Sequence, residues 1–126
     1  MTELNDHQQN CADTAIYPGR GSAIGLIYSI LGLAGEVGEV ANKAKKIIRD
    51  DPEAKATFER IAEDYEIELS QERIEKIEKE LRGVVYYLPE VLSNLGYSYE
   101  EVAQNMSEQL ARRAEQGTIH GDGDDR

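Results

Sequence analysis

The stretch Leu31-Gly32-Leu33-Ala34-Gly35-Glu36-Val37-Gly38-Glu39-Val40 decides how the rest of the chain is read. It lies inside a longer segment, about 23–49, in which Leu26, Ile30, Leu33, Val37, Ala41, Ala44 and Ile48 recur at three- and four-residue steps, the spacing of one helix face. Glu36 and Glu39 fall within about 60° of each other on that helix and border the apolar stripe. Glycine costs about 1 kcal/mol relative to alanine in a helix interior. Gly32, Gly35 and Gly38 therefore point to close approach by another helix or a ligand.

Outward from this segment, the chain continues in helices. Residues 3–16 read as a first helix, and Tyr17-Pro18-Gly19-Arg20-Gly21-Ser22 as a loop, because proline and two glycines break helical periodicity. Asp50-Asp51-Pro52 ends the long helix, and residues 53–66 read as a short acidic helix whose Phe58, Ile61 and Tyr65 are available to dock on neighbours. Ser70 is placed to cap a helix over about 71–95, with the stripe Ile74, Ile77, Leu81, Val84, Leu88, Leu92 and Leu95, an internal Pro89 and a terminating Gly96. Ser98-Tyr99-Glu100-Glu101 is a capping box that opens a last helix, running to about Gln116. The expectation is an all-α bundle of four to five helices: one domain over 1–116, then a Gly- and Asp-rich tail over 117–126. Stripes this wide on so short a chain imply a core completed by oligomerisation, as a homodimer or homotetramer.

Composition narrows the function. Charged residues are 31% of the chain, there is no Trp and one Phe, and 25 acidic residues against 14 basic ones give a net charge of −11. Such a surface repels a phosphate backbone and argues against nucleic-acid binding. The only cysteine, Cys11, excludes an intrachain disulfide and suggests a reducing compartment. The N-terminus has no signal-peptide pattern, and no apolar run is expected to approach the ~20 residues that span a bilayer. The expected location is the cytoplasm, with no membrane contact.

The helix over 71–95 repeats the arrangement of the first motif. Glu80 borders its stripe, with Gly83 and Tyr87 on the same face. Packing the two helices stripe to stripe would bring Glu36, Glu39 and Glu80 together. Three like charges in a partly dry place require a cation, and carboxylate oxygens suit Mg²⁺ or Mn²⁺.

The first motif, the segment Lys79-Glu80-Leu81 and the ending Gly117-Thr118-Ile119-His120-Gly121-Asp122-Gly123-Asp124-Asp125-Arg126 resemble the MazG-type all-α nucleoside triphosphate pyrophosphohydrolases. The resemblance runs from the Tyr17-Pro18 loop to the C-terminus and is weakest over about 51–70. It implies a MazG-like bundle, with Glu36, Glu39 and Glu80 as catalytic residues and Mg²⁺ ligands. It also implies hydrolysis of an NTP or dNTP between the α- and β-phosphates, to the monophosphate and pyrophosphate. In the family pattern a second Glu-x-x-Asp motif faces the first pair; here the Asp position is Gly83, a departure at one metal ligand. Lys43, Lys46, Arg112 and Arg113 are candidates to meet phosphate oxygens, Tyr87 to line the nucleotide pocket, and Asn105 to contact base or sugar. The alternatives are a nucleotide-binding or regulatory protein that has lost its chemistry with that Asp, and a purely structural helical oligomer.

Overall fold

The computed structural model describes residues 2–52, 55–56 and 70–117. The expected short helix with Phe58, Ile61 and Tyr65, and the tail beyond Gly117, lie outside them. Four helices are described: α1 (Glu3–Thr14), α2 (Ala23–Asp50), α3 (Gln71–Leu95) and α4 (Tyr99–Gln116). No strand occurs among the described residues, so the protein is all-α.

Local chemistry sets the helix ends. Ser22, Ser70 and Ser98 each cap a helix by accepting from the backbone N–H three residues on, and Thr2 does the same for α1. At Ser98 the box is complete, since the Glu101 carboxylate accepts from the Ser98 N–H at 2.8 Å. Gly96 and Gly117 close α3 and α4 in the left-handed conformation, at φ 83° and 69°. The first helix is shorter than its sequence suggests. It stops at Thr14, with Ala15 already extended and Ile16 98% exposed. A side chain with nothing to pack on does not hold a last turn.

The dominant contact is the antiparallel pairing of α2 with α3, while α1 packs on α3 and α4. The face of α2 used in this pairing is not the row of large aliphatics. Gly25, Ser29 and Ile47 are buried, and Gly32, Glu36, Val40 and Lys43 are half-buried. Each stands one position before a member of the expected stripe, a rotation of about 100°. Ile30 and Val37, expected in the core, are 46% and 51% exposed. On α3, Leu92 is buried, but Ile74, Leu81 and Leu95 are exposed. The physical reason is size: small residues on α2 let α3 approach closely enough to seat Tyr87, Glu90 and Asn94 in the seam.

Within one protomer a wide apolar face of α2 is consequently open, with Ile24 and Leu31 two-thirds exposed. By length and composition α2 is also apolar enough to cross a membrane, which corrects the expectation that no run in the chain approaches that length. Glu36 and Glu39 lie within it, and its packed face lies along α3.

Pro89 sits inside α3 and is fully buried. It has no N–H to offer the carbonyl of Val85, one turn earlier. The His7 ring on α1 replaces it, with Nε2 donating to Val85 O at 2.9 Å. A second tie from α1 seals the α3–α4 turn: Gln8 donates to Ser93 Oγ and Tyr97 O at 3.0 Å each and accepts from Tyr99 N at 2.8 Å. Asn5 accepts from Glu100 N at 3.2 Å, so two otherwise orphaned donors of α4 are satisfied from another helix.

The 17–22 loop is clamped onto the start of α2. Gly25 N donates to Gly19 O at 3.1 Å, and a Cβ at Gly25 would run into the Gly19 carbonyl and, at 2.8 Å, Arg20 Cα. Backbone cannot swing aside as a side-chain tip can. Gly25→Ala is therefore expected to destabilise the fold by about 2 kcal/mol, measured as a lower urea midpoint.

Candidate functional site

The α2–α3 seam carries the sequence-predicted acids, though not in the arrangement expected of them. Glu36 lies in the packed line itself rather than at its rim. Its carboxyl rests on Gly83, where a Cβ would collide with it. The absent Asp thus leaves no gap, because Glu36 occupies the place. Glu80, one turn before Gly83 on α3, is half-buried and faces Lys43 of α2, with Lys43 Nζ 3.7 Å from Glu80 Oε1. Glu39 is exposed. Glu36 and Glu80 therefore share one seam and Glu39 flanks it. Among the described residues no three His, Cys, Asp or Glu side chains are gathered closely enough to hold a metal ion between them.

Glu36 has neither a hydrogen bond nor an ion pair among the described residues. Fully buried carboxylates are paired as a rule, because an unpaired charge loses water without compensation, whereas Glu36 keeps part of its surface in water. Its neighbour across the seam is Tyr87, whose ring fills the space over Gly32, where a Cβ would clash. The Tyr87 phenol is pushed above its ordinary value, first by burial and then by the adjacent Tyr28 and Glu36. Of the three glycines in the first motif, Gly32 serves the close approach anticipated for it. A Cβ at Gly35 or Gly38 would meet nothing within 4 Å.

At the α3 N-terminal end, Lys43 and Lys46 line a cavity of about 340 Å³ with Asp50, Ser70, Arg73 and Lys76. Two of the expected phosphate contacts are thus brought together beside Glu80. Asn105, Arg112 and Arg113 are not brought to the seam. They lie on α4, which packs against α1, with Asn105 and Arg112 exposed and Arg113 half-buried.

A polar cluster at the other end of the seam was not anticipated. Glu90 is fully buried on α3. Its Oε1 accepts from Tyr17 OH and Arg20 Nε at 2.8 Å each, and Oε2 accepts from Arg20 Nη2 at 3.3 Å. Asn94, one turn on, donates to Tyr17 OH at 2.9 Å and Ser29 Oγ at 3.1 Å and accepts from Gly21 N at 2.7 Å. The Tyr17 phenol is raised, mainly by burial and then by its bond to Glu90. Tyr17 also stacks on Tyr28, with ring centroids 5.1 Å apart and planes 5° from parallel. The available signal was the period of α3: Tyr87, Glu90 and Asn94 fall at three- and four-residue steps, so an acid and an amide share the packed face with a tyrosine.

No family model matches the chain, and no solved structure matches it. Among curated proteins it is similar to the Gene 37 protein of Mycobacterium phage L5, with 36% identity over 123 residues that cover 95% of this chain and 96% of the relative. The match spans nearly the whole of both chains, and the chain belongs to the family of that Gene 37 protein.

Proposed function

We propose that the protein is an Mg²⁺-dependent nucleoside triphosphate pyrophosphohydrolase of the MazG type, acting as a cytoplasmic homo-oligomer. The observation that carries this reading is Glu36, a half-buried carboxylate held in a helix seam with no partner among the described residues. Such a group can take a cation, and through it a polyphosphate, without first giving up a hydrogen bond or an ion pair. Glu36 and Glu80 as carboxylate ligands, with water and substrate phosphates completing the shell, fit the usual manner of Mg²⁺ binding, which needs no all-protein cage. Mn²⁺ has the same preference for oxygen. The bound ion would neutralise charge on the phosphates and polarise the phosphoryl oxygens.

The chain's own groups divide the remaining work. Glu39, exposed beside Glu36, orients a water and accepts its proton as the oxygen bonds to the α-phosphorus. The α–β bridge bond breaks, and its electron pair leaves with pyrophosphate. Lys43 exchanges Glu80 for a phosphate oxygen, and Lys46 meets the far end of the chain of phosphates. The open face containing Ile24 and Leu31 suits a second copy better than a membrane, because a net charge of −11 disfavours anionic lipid surfaces.

A second reading is favoured by Gly83 and by the Lys43–Glu80 pair: a nucleotide-binding protein without turnover. One experiment separates the two. Purified protein with Mg²⁺ or Mn²⁺ is offered a panel of ribo- and deoxyribonucleoside triphosphates, and pyrophosphate release is followed alongside calorimetric binding. Metal-dependent release is the expected result. Binding without release supports the second reading, and neither binding nor release eliminates both.

A further inference from the structure

The flank of α2 between its packed line and its open apolar face carries a row of which the hydrolase reading uses only Glu39 and Lys46. At ~100° per residue, Tyr28, Gly35, Glu39 and Lys46 fall within about 40° of one another. Tyr28 is 42% exposed although it stacks on Tyr17, and Tyr17 is itself fixed through its hydroxyl to buried Glu90 and to Asn94. This ring is thus held on one face by Tyr17 while the residue keeps a large exposed surface. Gly35, next along the row, leaves space in which a Cβ would meet nothing. Glu39 and then Lys46 follow. The rise from Tyr28 to Glu36 is about 12 Å and from Glu36 to Lys43 about 10 Å. Glu36 thus divides this length of α2 into a Tyr28 end and a Lys43 end, the order in which a base and its phosphates would lie on either side of it.

We propose that Tyr28 is the platform on which the nucleobase stacks, with the triphosphate running along α2 past Glu36 toward Lys43. This rests on the nucleotide reading above. Every base presents a π-face, so a tyrosine pinned in one orientation gains stacking energy with little loss of side-chain freedom. A ring face alone selects for a base without selecting strongly among bases. Tyr87, wedged over Gly32 beneath the same site, supports the platform from the seam side.

The test uses the full chain with Mg²⁺ and two probes, a non-hydrolysable nucleoside triphosphate analogue and inorganic tripolyphosphate, titrated by calorimetry. Wild type should bind the nucleotide at least tenfold more tightly than tripolyphosphate. Tyr28→Ala should weaken the nucleotide by about tenfold and leave tripolyphosphate unchanged, while Tyr28→Phe should keep wild-type affinity for both. With seven tyrosines and no tryptophan, quenching of tyrosine emission by the nucleotide but not by tripolyphosphate gives an independent reading in the unaltered protein. Wild type that binds tripolyphosphate as tightly as the nucleotide overturns the platform and leaves the phosphate end of the seam standing, as does Tyr28→Ala with unchanged nucleotide affinity. Wild type that binds neither probe overturns both readings.

Discussion

Glu36→Ala is expected to lower metal-dependent pyrophosphate release by about a hundredfold while leaving the metal-free protein as stable as wild type or slightly more so. The first half follows from the scale of losing one pre-placed group that stabilises developing charge. The second half follows from its surroundings. The carboxylate lies on Gly83, which stands one turn from Glu80 on α3, and close to Tyr87, with no cation paired to it among the described residues. Removing it breaks no hydrogen bond or ion pair among the described residues and adds the better helix former, a gain of up to about 1 kcal/mol. A residue retained for packing behaves in the opposite way, because truncation inside a seam costs stability. The measurement pairs initial rates with thermal melting in the presence and absence of Mg²⁺. Wild type should gain melting temperature on adding the ion, and the variant should not. A variant that loses stability in the metal-free state, or one that keeps its rate, would show that Glu36 is a structural residue. Gly83→Asp adds to this, because an Asp there has to displace the Glu36 carboxyl before it can serve as a ligand.

Glu90→Ala is expected to destabilise the fold by about 3 kcal/mol, a large share of the ~5–15 kcal/mol that holds a domain of this size. Glu90 is fully buried and is the shared acceptor for Tyr17 and Arg20. Its removal leaves a phenol and a guanidinium facing a space with no acceptor. The Arg20 side chain is 35% exposed, so water recovers part of the loss and the estimate falls at the low end for a broken buried pair. The Arg20 guanidinium is raised above its ordinary value, first by its hydrogen bond to Glu90, so it stays charged throughout any accessible pH range. Glu90→Gln keeps an acceptor for Tyr17 and should cost roughly half as much. Urea unfolding gives the numbers, and a loss below about 1 kcal/mol for Glu90→Ala would mean that the cluster is not the anchor of the 17–22 loop. Because Tyr17 holds Tyr28, the same substitution should also loosen the proposed nucleobase platform, through position rather than contact.

The sequence alone carried the helical architecture. Cap residues and glycine stops act within a few residues of themselves, so Ser22, Ser70, Ser98, Gly96 and Gly117 mark their boundaries without knowledge of what packs where. The seam was legible only in outline. Hydrophobic periodicity assigns the buried face to the largest aliphatics, and on α2 that assignment is wrong by one residue. The row beginning Gly25, Ser29, Gly32 and Glu36 packs instead, because close approach of two backbones rewards small side chains more than apolar ones. The pairing of Glu36 with Gly83 and the use of Glu90 could not be read along the chain, since both join residues more than forty positions apart. Which carboxylate is neutralised by an arginine and which is left without a partner is settled where helices meet. Glu36 and Glu90 are the same residue type on similar amphipathic helices, and only their neighbours across the seam make one an anchor and the other a candidate ligand.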